Sequence, residues 1–184
     1  VTVAPDAEGV RVRPAERADL LAVHRIERAS FPTPWPLEAF ERFLGEPGFL
    51  VAVEDDEPLG SGEAPAADES VAAADGTDDG ALIDDGGVLG YVVAEVTPNH
   101  GRAFGHIKDV AVHPKHRRRG IASTLLERAL VTLAGENARS VKLEVRESNE
   151  AAQELYRGFG FAPMRRRPSY YQNGEDAIVF GREL

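Results

Sequence analysis

The chain of 184 residues has no cysteine, one methionine and one tryptophan. Lack of cysteine excludes disulfides, thiolate metal sites and a cysteinyl acyl-enzyme together. Any acyl chemistry must therefore use oxygen or nitrogen groups, or take its sulfur from a cofactor. Long apolar runs are missing too: none approaches the roughly 18 to 20 residues that a membrane-spanning helix needs. The opening VTVAPDAEGVRVRPAERADL lacks the basic-then-apolar layout of a secretory signal. A cytoplasmic protein without membrane contact is the expectation. Neither GxGxxG nor GxxxxGK[ST] occurs, so dinucleotide-binding and P-loop folds lack their fingerprints.

Basic charge is absent from Glu54 to Asp85, a stretch dense in Asp and Glu. The whole chain carries 31 acidic and 21 basic residues, a formal charge of -10. Such a surface disfavours non-specific nucleic-acid binding, and none is expected. A high-salt cytoplasm, which screens self-repulsion, is one setting that suits this composition. The segment between Pro58 and Gly87 is small, acidic and non-periodic, so it buries too little area to offset the entropy of ordering. It reads as a flexible acidic loop over residues 55–87, inserted into a single domain spanning residues 1–184.

Periodic segments account for most of the remainder. Val10 to Arg13 alternates as a strand, and Asp19 to Arg28 carries Leu20, Val23 and Ile26/Glu27 at helical spacing. Pro36 suits the first turn of a second short helix over Leu37 to Leu44. Phe49 to Val53, VLGYVVAEV and GHIKDVAVHP are β-branched strands. Ile121, Ala122, Leu125, Leu126, Ala129, Leu130 and Leu133 then form a broad helical face. SVKLEVRE is a strand, Asn149 to Arg157 a helix, and DAIVFGREL a closing strand. The order predicts an α/β domain: a mixed, twisted central sheet flanked by helices.

The junction KDVAVHPKHRRRGIAST runs from strand to helix near Gly120. It leaves unpaired N–H groups at a helix N-terminus, where phosphate oxygens can be held, with Arg117, Arg118 and Arg119 adding positive charge. From spacing alone, an ordinary connection with a solvated basic run remains open. RRRGIA, following DVAVHP and opening an amphipathic helix, resembles the R/Q-x-x-G-x-G/A motif of the GCN5-related N-acetyltransferases (GNAT). LEVRESNEAAQELYRGFGF, YYQNGEDAIVF and FPTPW are similar to blocks of its ribosomal-protein alanine N-acetyltransferase (RimI) and archaeal N-terminal acetyltransferase branches. Together they cover most of the chain outside the acidic segment.

The resemblance implies acetyl-CoA as cofactor, with coenzyme A as product, and a GNAT-like fold. It implies cofactor contacts from Arg117, Arg118, Arg119, Gly120, Ile121, Ala122 and Asn149, with Val110, Ala111 and Val112 orienting the thioester. It also implies Glu144 as base, directly or through water, and Tyr156 as acid toward the departing thiolate. Phe31, Pro32 and Trp35 would form one wall of the acceptor channel, and Tyr170 and Tyr171 the other. The implied acceptor is a protein or peptide N-terminus, with a ribosomal protein among the candidates. Two alternatives stay open: transfer to lysine, a polyamine or another small amine, and a non-catalytic acyl-CoA-binding module.

Elementary acidity favours the first acceptor. An α-amine has a pKa of about 7.7 to 8.0 and lysine about 10.4, so deprotonating lysine starts about 3 to 4 kcal/mol behind. Lys108 is expected to be exposed or ion-paired, and Arg165, Arg166 and Arg167 to be solvated at a strand edge. His100, His106, His113 and His116 do not form HExxH, and alternation does not gather all four on one face. No metal is expected, and a monomer is the default.

Overall fold

Strand β1 (Val10–Pro14) lies at one edge of a seven-stranded sheet that continues through β2 (Phe49–Glu54), β3 (Val88–Thr97), β4 (Phe104–Val112) and β5 (Ser140–Arg146). Beyond β5 come β7 (Ala177–Glu183) and, at the far edge, β6 (Ala162–Arg167). The computed structural model describes residues 7–55, 87–99 and 101–184. The expected acidic insertion, apart from its ends, and His100 fall outside them.

The sheet is mixed: β4 and β5 run parallel, and every other neighbouring pair is antiparallel. A parallel pair requires a crossover, which α3 (Ile121–Gly135) supplies across one face. Its buried side chains Ile121, Leu125, Leu126, Ala129, Leu130 and Leu133 lie on the face read from the sequence. They join Val92, Ile107, Leu143 and Val145 in one core, together with Tyr156 and Phe161. On the other face α1 (Leu20–Ser30) and α2 (Leu37–Glu41) cover a second core with Phe40, Phe49, Tyr91 and Val93. Strand β3 is buried from Val88 to Ala94 because it is sandwiched between the two.

Helix α2 stops at Glu41, short of the expected Leu44. The chain continues in turns, with Phe43 donating to Phe40 O and Gly45 at φ +87°. Phe43 and Leu44 still reach the second core from that turn, which is why their apolar pattern reads as helical.

Candidate active site

Strands β4 and β5 pair only from Phe104 with Ser140 to Ile107 with Leu143. Beyond that point they part. The cause lies on the other side of β4, where Val93 pairs with Asp109 but Ala94 pairs with Ile107. Lys108 is thus an extra residue, a bulge, and bulges bend the strand that carries them. The bulge also resets alternation. Ile107 belongs to the α3-side core, yet Asp109 and Ala111 turn to the α1 side with Tyr91 and Val93.

His113 N–H donates to Leu89 O. Antiparallel bonding alternates, so Ala111 with Tyr91 and Asp109 with Val93 are the pairs bonded to β3. Val110 and Val112 therefore direct their N–H and C=O groups into the gap. One of these, Val112 O, is taken by Arg117 Nε at 3.1 Å.

Next to the gap, the turn before α3 contains two left-handed residues, Arg118 at φ +65° and Gly120 at φ +81°. The first backbone bond of α3 runs from Thr124 N–H to Gly120 O. The amides of Ile121, Ala122 and Ser123 consequently have no intrahelical acceptor. They open onto a cavity of about 430 Å³ lined by Val110, Ala111, Val112, Arg117, Arg118, Gly120 and Asn149 among others. Arg119 does not line it; its guanidinium lies 3.0 Å from His116 Nδ1. Arg117 also bonds Ser30 Oγ at 3.1 Å, linking this turn to the end of α1.

A second cavity, of about 640 Å³, contains Phe31, Pro32, Trp35, Tyr170, Tyr171 and Glu144 in its walls. Val110, Asn149, Ala152 and Tyr156 line both cavities, as do Ser30 and Phe31. Tyr156 comes from α4 (Glu150–Gly158), whose start is capped by Asn149 Oδ1 accepting from Ala152 N–H at 3.1 Å. The side chain is nine-tenths buried, and its hydroxyl has no hydrogen-bond partner among the described residues. Burial pushes its pKa up, with Asp109 and Tyr171 adding to the rise, so it keeps its proton at neutral pH.

Glu144 Oε2 lies 2.6 Å from His106 Nε2, and Arg167 approaches Oε1 at 3.4 Å. The His106 hydrogen bond holds the Glu144 carboxyl below its usual pKa, against the opposing effect of burial. Arg166 pairs with Glu147 and Asp176. Two of the three β6 arginines are therefore engaged with carboxylates, not simply solvated, because β6 runs beside β7 and its connecting loop. Lys108 pairs with Glu95 at 2.8 Å, as an ion-paired strand lysine should.

Three buried or half-buried residues at this site are not legible in the sequence. His106 shares a sheet face with Lys142, its register partner on β5, and thereby reaches Glu144. Glu27 is buried on α1, accepting Trp35 N–H at 2.7 Å and so fixing the turn FPTPW. Asp109 meets the Tyr91 hydroxyl at 3.0 Å. The only advance signal is the pair of adjacent charges, Lys108 and Asp109, in an otherwise apolar strand.

Residues 75–161 match the acetyltransferase (GNAT) family. An N-alpha-acetyltransferase of Saccharolobus solfataricus is 30% identical over 94% of this chain and 92% of its own. The chain belongs to the GNAT family. GNAT proteins of known structure share its fold. The NatC complex bound to Gag peptide and CoA aligns at a TM-score of 0.74 with 23% identity, over 95% of this chain and 98% of that one. The ribosomal-protein-S18-alanine N-acetyltransferase of Escherichia coli aligns at 0.68 with 24% identity, over 95% and 94%. This GNAT chain is an acetyltransferase that uses acetyl-CoA. Its first cavity fits such a donor: three acceptor-free amides and two arginines suit a pyrophosphate, and the amides of Val110 and Val112 suit a linear arm.

Proposed function

We propose that this protein acetylates the N-terminal α-amine of a protein or peptide by direct transfer while both substrates are held. The observation that carries this reading is the meeting of two differently built cavities at Val110, Asn149 and Tyr156. One offers amides and cations, the other aromatic and proline walls that suit an extended chain end. A ribosomal protein is one candidate acceptor.

Acetyl-CoA supplies the acetyl group as an activated thioester. In this reading Ile121, Ala122, Ser123, Arg117 and Arg118 hold its pyrophosphate end, and Val110 and Val112 orient its acyl end. Glu144 stays charged under the influence of His106 and is a weak base. A weak base suffices for the neutral fraction of the amine, because a nitrogen that has begun to bond carbon is far more acidic than a free ammonium. Tyr156 gives its proton to the leaving sulfur. Its unpartnered hydroxyl, lying between the cavities, is suited to that task.

A library of short peptides with free N-termini, assayed by mass spectrometry at moderate and high salt, tests the proposal. Acetylation at the α-amine is expected. Transfer confined to internal lysines or polyamines would overturn it, as would binding of acetyl-CoA without turnover on any amine.

A further inference from the structure

The charged side chains lining the acceptor cavity are Glu27, Lys108, Asp109, Glu144 and Arg146. Most of them are balanced by a partner of opposite sign. Glu144 faces Arg167 and is also hydrogen-bonded to His106. Lys108 faces Glu95, and Arg146 faces Glu175 at 2.7 Å. Glu27 and Asp109 are different: among the described residues neither forms an ion pair with a cationic side chain. They are joined by the Tyr91 hydroxyl, 2.5 Å from Glu27 Oε2 and 3.0 Å from Asp109 Oδ2, and by direct hydrogen bonding between the two carboxyls.

A phenol has one proton, so it cannot donate to both carboxyls at once. A consistent arrangement has one of the two carboxyls protonated and the other charged, with Tyr91 donating to the charged one. Burial pushes Asp109 well above the carboxylate range, and the neighbouring Glu27 charge adds to this. Two carboxyls this close cannot both ionise cheaply. The cluster thus keeps one negative charge, matched by no ion pair among the described residues, on the wall of the cavity. A second, independent feature marks the same place as ligand-facing: the Tyr156 side chain is nine-tenths buried, yet its hydroxyl, accessible from the cavity, lacks any partner among the described residues.

Resting on the N-terminal acetylation reading, we propose that the Glu27–Tyr91–Asp109 cluster is the counter-charge for the acceptor's ammonium and thereby selects a free amine over a neutral chain end. Glu27 and Asp109 are positioning residues in this role. They draw the cationic amine to the junction, where the fraction that has lost one proton to solvent attacks, Glu144 takes the second proton and Tyr156 gives one to sulfur. The β4 bulge makes this possible, since without the extra residue Asp109 would point into the α3-side core. Glu27 has a second duty through Trp35 N–H, so the cluster also ties the charge to the wall of the acceptor channel.

The test uses the CoA-loaded protein and two peptides, one with a free α-amine and one with hydrogen in its place. The variant Glu27→Gln/Asp109→Asn removes the charge yet can keep the bonding. The introduced glutamine accepts from Trp35 N–H through its carbonyl and donates to Tyr91 through its amide, while Tyr91 donates to the side-chain carbonyl of the introduced asparagine. Wild type should bind the amine peptide about tenfold or more tightly than its neutral twin, as one charge at partly screened range predicts. The double variant should bind the two within about twofold, with CoA affinity and thermal unfolding unchanged, reflecting loss of that one charge. A retained preference in the variant, or none in wild type, overturns the inference. If the double variant does not fold, Glu27→Gln alone gives the same readout. Acetylation of the amine peptide by wild type is measured in parallel. Its absence would defeat the acetylation reading itself, whereas turnover with an unmoved preference would defeat only the counter-charge.

Discussion

Tyr156 lines both cavities, so its removal should separate binding from chemistry. Tyr156→Phe keeps the ring against Phe161 and Phe180 and loses only the proton. Turnover should fall by about a hundredfold or more, in the range of general-acid contributions, with the acetyl-CoA dissociation constant nearly unchanged. Steady-state kinetics beside equilibrium binding checks this, and unaltered turnover would remove Tyr156 from the reaction. Glu144 makes a prediction about pH. Its depressed pKa means the charged form persists to lower pH than an ordinary glutamate permits, so the acid limb of kcat should lie low. His106→Ala removes the largest cause of that depression, and the limb should move upward. Glu144 and Tyr156 could be singled out because they sit in one contiguous block that resembles the family's, and both line the acceptor cavity. Glu27 and Asp109 could not. One lies on a helix otherwise read through its apolar positions, and the other changes face only because of a bulge that no alternation rule anticipates.

Among the elements, the turn into α3 depends most narrowly on backbone conformation. Gly120 stands at φ +81°, and a Cβ there would meet only the Ala7 methyl at 3.6 Å. Space is adequate, so the cost of Gly120→Ala is conformational, about 1 to 2 kcal/mol. If the turn instead relaxes to negative φ, the amides of Ile121 to Ser123 rotate away from the cavity. Acetyl-CoA affinity should then fall more than stability does, a contrast readable by calorimetry and thermal unfolding. The elements themselves were largely evident from periodicity, including the strand alternation of β5 and the apolar face of α3. Boundaries failed where tertiary packing replaced local regularity, as at the turns after Glu41 that still bury Phe43. Ala162–Arg167 carries no apolar alternation at all. It is extended because β7 gives it a partner, which its own residues do not announce.

Over the whole molecule, the gap joins two halves of the sheet that share only four register pairs, from Phe104 with Ser140 to Ile107 with Leu143. A ligand bound there touches both halves. Saturating acetyl-CoA should therefore stabilise the fold cooperatively, by about 2.7 kcal/mol at one hundred times its dissociation constant. Hydrogen exchange should slow at Val110, Val112 and the first turn of α3 together. Protection at the helix turn alone would mean that the strands do not engage the ligand. The parting of β4 and β5 is not legible in the sequence, because nothing in the composition of either strand marks where their pairing ends. Pairing is lost for geometric reasons, not compositional ones.

The bulge at Lys108 has a consequence for inhibitor chemistry. It leaves the molecule with an internal edge, a row of donors and acceptors spaced for an extended backbone yet walled in by its own neighbour. A slender, linear molecule carrying amides at peptide-like intervals can dock there as though it were polypeptide, while a flat polycyclic one meets the spacing nowhere. Lead compounds for this pocket are best sought among strand mimics.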